Sequence, residues 1–163
     1  MKNYLLIFLF ASSAAFGQDD PVKLFYSHKF PCDTANNTIE INICSGIKRD
    51  FADSLLNAQY NYIIKSLKDE ERGTEIRLQA EISKNDSSPD EKEKIKFLQK
   101  DLEFSKRLIK SIIKSEEEWI KLRDFNAEVI DIKSEGGTGF VAQENMSLIE
   151  DTLERLKKLR SFY

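Results

Sequence analysis

The residues best suited to chemistry in this chain are its two cysteines. Cys32 and Cys44 bracket the polar stretch PCDTANNTIEINIC. Two thiols so placed can close a disulfide, ligate a metal or act as a redox pair. A redox pair more often reads C-x-x-C. A zinc site needs more ligands than the single histidine, His28, can add. The compartment decides between the remaining uses. Residues 1–17, MKNYLLIFLFASSAAFG, carry one lysine, an apolar run from Tyr4 to Phe10, and small residues at Ala15 and Gly17. This is the pattern of a secretory signal peptide, cleaved after Gly17, with Ala15 the second choice. The run is far shorter than the ~20 apolar residues of a membrane helix. No cysteine stands at the cleavage point to take a lipid. Export places both thiols in an oxidising space, so they read as a structural Cys32–Cys44 disulfide. Such a bridge contributes about 2–3 kcal/mol by restricting the unfolded chain.

Other chemistry finds little support. Ser-His-Asp catalysis would depend on His28, and the chain has no G-x-S-x-G, no H-E-x-x-H and no phosphate-cradling loop after a strand. With 28 acidic residues, close carboxylate pairs arise without meaning. DFNAEVIDIKSE, from Asp124, places acidic or amide residues where a calcium loop has ligands, but Val129 stands where such a loop needs glycine. N-x-S/T triplets at Asn36, Asn85 and Asn145 are short enough to occur by chance. We therefore expect no catalytic residue, no metal and no cofactor: the chain reads as a binding protein.

Two polar constellations stand out. In DSLLNAQY, Asp53, Asn57 and Tyr60 fall four and three apart on one helix face. They form either a ligand patch or a hydrogen-bonded network between helices, and the network is the more ordinary use. In WIKLRD, Trp119 and Arg123 are four apart, with Asp124 next. The guanidinium can lie over the indole, and Trp119 suits a core anchor better than a binding hot spot.

The elements that must position these residues are helices. Residues 18–37 read as an irregular arm, punctuated by Pro21, Pro31 and Asn36-Asn37. A helix from about Thr38, capped by that threonine, runs to Leu67 with a possible bend at Ser45-Gly46. Its apolar stripe is Ile39, Ile43, Ile47, Phe51, Leu55, Ala58 and Tyr62. Gly73 ends or bends a helix, with a short helix over Thr74–Ser83. KNDSSPDE is a loop, with Pro89 suited to the next first turn. A long amphipathic helix covers about Asp90 to Lys133 through Ile95, Leu98, Leu102, Ile109, Ile112 and Trp119. EGGTG, Glu135–Gly139, breaks the chain. A last helix spans about Val141 to Ser161, with Lys157, Lys158 and Arg160 at its C-terminus. The expected fold is all-α: an antiparallel bundle of long helices with one N-terminal disulfide, forming a single domain over 18–163. Net charge is −3, or −4 once Lys2 leaves with the leader. There is no basic stripe, so nucleic acid is a poor partner.

In order along the chain stand Cys32, Ala35 and Glu40 to Cys44; then Asp53, Leu56, Asn57 and Tyr60; then Trp119, Arg123 and Asp124; then Gly136, Gly137 and Thr138; then Thr152, Arg155 and Leu159. Together these resemble the small secreted bacterial domains of the LprI-type lysozyme inhibitor family. The resemblance runs from about Cys32 to Leu159 and implies a helical fold. Family members usually carry a second cysteine pair, at places that here hold about Ala127 and about Ser147. A charged insert over about 68–107 also departs from the pattern. The resemblance implies a periplasmic or extracellular protein that binds a protein partner of the lysozyme-type hydrolase kind by occluding its cleft. The turn Gly136, Gly137, Thr138 and Gly139 is the candidate inserting element, because glycine lets backbone approach closely. The alternative is an envelope scaffolding module with no effect on hydrolases.

Overall fold

The first described element is a helix where the sequence suggested an irregular arm. The computed structural model describes residues 20–85, 88–133, 137 and 139–162; the expected leader lies outside them. Helix α1 is Pro21–Ser27. The Asp20 side chain accepts from the Val22 amide and Pro21 occupies the first turn, whose amides need no helical acceptor. Its apolar face, Val22 and Phe25, is buried. After it, the arm turns through Phe30–Ala35, where the Phe30 amide donates to Asp33 and the Ala35 amide to the Cys32 carbonyl.

Helix α2 is Thr38–Ser83, a single helix of 46 residues. Asn37, rather than Thr38, supplies its cap: the Asn37 Oδ1 accepts from the Glu40 amide at 2.9 Å. Glu40 reaches back to the Asn36 amide, completing a reciprocal cap. Gly73 neither ends nor divides it. A glycine inside a helix costs only ~1 kcal/mol, and burial of Leu67, Thr74 and Leu78 on either side offsets that. The helix ends at Ser83, and two residues on Asn85 takes a φ of 53°, a left-handed turn that asparagine tolerates.

Helix α3 is Pro89–Lys133. Pro89 holds its first turn, the Ser88 hydroxyl accepts from the Glu91 amide, and Asp90 and Glu91 face the positive end of the dipole. Helix α4 is Phe140–Ser161, with Lys158 and Arg160 in its last turn. The chain is all-α, and no strand occurs among the described residues.

The chain forms two compact units: Met1–Tyr62 with Lys121–Tyr163, and Ile63–Ile120. Helices α2 and α3 contribute to both. In the first unit the core gathers around Ala52, Leu55, Leu153, Leu156 and Leu159. Ser45 meets Asn145 and Asp53 meets Thr152, so α4 runs in the same direction as the start of α2. In the second unit Thr74 approaches Asp101 and Glu81 meets Lys94, so α2 and α3 are antiparallel there. The region 68–107, marked as a charged insert, lies within this hairpin.

One stripe was misplaced. Ile39, Ile43 and Ile47 are exposed, at 73%, 59% and 43%. Steps of four overshoot a 3.6-residue turn by about 40° each. Between Ile39 and Leu55 such a stripe therefore rotates by about 160°: Leu55 reaches the core, and Tyr62, at 41%, is exposed again. The buried face starts instead at Cys44 and Ser45.

Candidate functional site

The site is built on the arm's attachment to α2. Cys32 and Cys44 form the expected disulfide, with Cα atoms 5.4 Å apart. One helical turn beyond Cys44, Lys48 pairs with Asp33 at 2.7 Å and lies over the Phe30 ring, 5.3 Å from its centre. The hydrogen bond from Lys48 holds the Asp33 carboxyl below its ordinary range, and the Phe30 amide adds to the effect. Phe25, Phe30 and Phe51 cluster beneath, and the His28 ring stacks on Phe51 with centroids 4.4 Å apart. His28 thus packs against aromatic rings. At the far end of the unit, Arg160 pairs with Asp20 and joins α4 to the cap of α1.

Two polar contacts fix α4 against α2. The Asn145 amide donates to Ser45 Oγ at 2.9 Å, and Arg49 donates to Asn145 Oδ1 at 3.0 Å. Asn145 is 4% exposed, so its N-x-S triplet is closed to a glycan in the folded chain. Further along, Asp53 Oδ1 accepts from Arg123 at 2.8 Å and from the Thr152 hydroxyl at 3.2 Å. Arg123 also pairs with Asp124, through Nη2 at 3.1 Å. One guanidinium therefore ties α2, α3 and α4 together. Such charge-assisted bonds in partly desolvated places contribute about 1.5–3 kcal/mol.

The structure thus brings Asp53, Arg123 and Asp124 together and adds Thr152 to them. It does not add Asn57, which is exposed, whereas Tyr60 and Trp119 are half-buried. The Ser45–Asn145–Arg49 contact was missed in the sequence. Its members come from segments about a hundred residues apart, and nothing local marks them. Of the glycine turn, Gly136 and Thr138 lie outside the described residues. Gly137 and Gly139 are exposed, and Gly139 directly precedes α4 with open space around its Cα.

Between the arm, α2 and α4 lies a groove of about 350 Å³. Its walls are mostly apolar, from Phe25, Ile41, Met146, Ile149 and Leu153, and include both bridged cysteines. Lys48, Asp33 and Glu150 are its charged members. No group of three or more potential metal ligands converges among the described residues.

A family model described as Lysozyme inhibitor LprI matches residues 32–159. The chain belongs to the LprI lysozyme inhibitor family. No curated protein and no solved structure matches it. The LprI match begins at Cys32, the arm's half of the bridge, and ends at Leu159, which is 1% exposed in the core of the first unit. Of the two residues noted in the sequence near the expected second bridge, Ala127 is buried and Ser147 half-buried. No helix of the described residues is long and apolar enough to cross a membrane.

Proposed function

We propose that this LprI protein is exported to the periplasm or beyond and there inhibits a lysozyme-type cell-wall hydrolase. The observation that carries the reading is the family match, which runs from the disulfide-pinned arm to the end of the core helix. The mechanism is occlusion: the turn Gly136–Gly139 enters the hydrolase cleft, supported by α4 behind it. Glycines suit such a turn because they let backbone approach a partner closely. Lysozymes are often basic, and a mildly acidic chain of net charge −3 gains encounter rate with a basic partner. The chain has no catalytic part in this reading; it binds and blocks. The test is incubation of the exported form with a panel of lysozymes, read by activity and by complex formation. Stoichiometric loss of turnover is expected with at least one class. Full activity of every class in the presence of excess folded protein overturns the reading.

A second reading is an envelope module that binds another protein through a helical face. The exposed Ile76, Phe97 and Phe104 of the second unit favour it, at 62%, 66% and 57% exposure. It predicts that Phe97→Ser with Phe104→Ser abolishes capture of a partner, while any hydrolase inhibition survives.

A further inference from the structure

The groove between the arm, α2 and α4 has a charge pattern that specifies an occupant. Its apolar walls end at a rim where Tyr26 and Met146 are 72% and 57% exposed. Of its three charged residues, Lys48 is neutralised by Asp33 at 2.7 Å. Glu150 has no ion-pair partner among the described residues and stands exposed at the groove's edge. One uncompensated negative charge thus sits beside an apolar trough. Apolar surface recessed in this way favours a hydrophobic side chain. A carboxylate beside a desolvating wall favours a cation, because opposite charge at a rim both steers and orients. At about 350 Å³ the groove lies at the small end of the roughly 300–1,000 Å³ of ligand pockets. That suits a short stretch of side chains better than a bulky cofactor.

We infer that this groove receives a surface segment of a basic protein partner, one in which an apolar side chain stands next to an arginine or lysine: the apolar group fills the trough and the cation meets Glu150. The inference rests on the inhibitor reading for the identity of that partner, the hydrolase. It also makes the docking surface continuous. Ala142, a wall residue, lies three residues after Gly139, about 4.5 Å along the helix. A partner that contacts Gly139 therefore has the groove beside it. The disulfide and the Lys48–Asp33 pair hold the arm that forms one wall, so the trough exists before binding and need not be ordered by it.

The test uses two peptides on the full exported chain: acetyl-Leu-Arg-Phe-amide and its acidic counterpart acetyl-Leu-Glu-Phe-amide. Backbone amide shifts of Cys44, Met146 and Glu150 are followed by NMR. The arginine peptide should give saturable shifts at these positions, several-fold stronger in affinity than the glutamate peptide. Glu150→Gln should bring the two peptides close to equal, and Met146→Lys should abolish binding of the arginine peptide. Both substitutions lie on exposed positions of α4, so the fold survives them. No saturation at millimolar peptide, or equal response to both peptides in the unsubstituted chain, overturns the inference. The same variants are then tried against the lysozyme panel. Peptide binding without inhibition of any lysozyme defeats the inhibitor reading and leaves the groove. Inhibition unchanged by Met146→Lys and Glu150→Gln defeats the groove as the partner's seat and leaves the inhibitor reading.

Discussion

The two units are held by different means. In the unit of Met1–Tyr62 and Lys121–Tyr163, contacts reach across long stretches of chain: a disulfide, an Asp53–Arg123–Thr152 knot, and Asn145 set between Ser45 and Arg49. In Ile63–Ile120, two antiparallel helix segments bury one seam, Ile63, Leu67 and Leu78 against Leu98, Ile109 and Ile112, and their end is closed by charged side chains. Two helices can cover only one stripe of each other, which is why Phe97 and Phe104 remain exposed. The first arrangement fixes where a surface sits; the second mainly keeps two helices paired. The difference teaches where to seek a site: beside the long-range locks, where geometry is fixed before a partner arrives.

The sharpest way to break this contrast is to damage the core of the first unit. Leu156 is 0% exposed, and Leu156→Ala should destabilise by about 2–5 kcal/mol. Hydrogen exchange should show protection falling most along α4 and least around Leu67–Leu78. An equal fall in both regions would mean that the units unfold as one, and the contrast would have no energetic content.

Next in size is the bridge. Replacing Cys32 and Cys44 by serine should cost about 2–3 kcal/mol, measured by urea unfolding. The loss should concentrate in the amides of Phe30–Ala35, because the arm's remaining ties are Lys48–Asp33 and packing of the aromatic cluster. Asp53→Ala comes third. It removes the shared acceptor of Arg123 and Thr152, but Asp124 still pairs with the guanidinium. The expected cost is about 1.5 kcal/mol, the low end for bonds to a charged group. A cost near zero would show the knot to be solvent-compensated.

Much of this framework could be read from the sequence, and the failures share a cause. Helices α3 and α4 were legible because their breakers, Pro89 and EGGTG, stand at their ends. The bridge was legible because two cysteines, in a chain whose start reads as a leader, allow one pairing. Within the site, Asp53 and Arg123 were marked by type and spacing, yet which of the neighbouring polar residues joined them was not. Asn57 shares a helix face with Asp53 in sequence terms, but Thr152, from another helix, supplies the bond. Helix α1 was missed although Asp20-Pro21 is a good start signal, because seven residues carry too little periodicity to register. The Ile39, Ile43, Ile47 stripe misled through the slow rotation of four-residue steps. Local rules locate helices; which face is buried depends on partners elsewhere in the chain.

Gly73 offers a smaller test, directed at the second unit. Nothing lies within 4 Å of a Cβ added there, and it sits inside a regular helix. Gly73→Ala should therefore stabilise by about 0.5–1 kcal/mol by removing glycine's freedom in the unfolded chain. The gain should appear as added protection around Thr74 and Leu78, with the amides of the disulfide arm unchanged.

The smallest effect, and the one most specific to the hairpin, is its pH dependence. At its closed end Glu81 hydrogen-bonds with Glu91 and with both Lys84 and Lys94. The bond from Glu91, then those from the two lysines, hold the Glu81 carboxyl down at about 2. The same bond to Glu81, with burial, pushes Glu91 up from its ordinary 4.5. The two carboxyls are thus shifted in opposite directions. The depressed group contributes stability that is present above 4.5 and lost as pH falls towards 2. The raised group contributes stability that is present below 4.5 and lost as pH rises through its elevated value. Their sum peaks near 4.5 and declines on both sides. The first unit behaves differently: its shifted carboxyl, Asp33, is held down by Lys48, so its contribution is lost only on the acid side, below about 3.8. Other carboxylates add a common background, which cancels in a comparison with Glu91→Gln. That amide keeps a hydrogen bond to Glu81 without titrating. The variant should hold the hairpin's protection level as pH rises above 4.5, where the unsubstituted chain declines, and should leave the Phe30–Ala35 amides alone. Parallel curves for the two proteins above pH 4.5 would show that Glu91 is not raised by its neighbour in the folded chain.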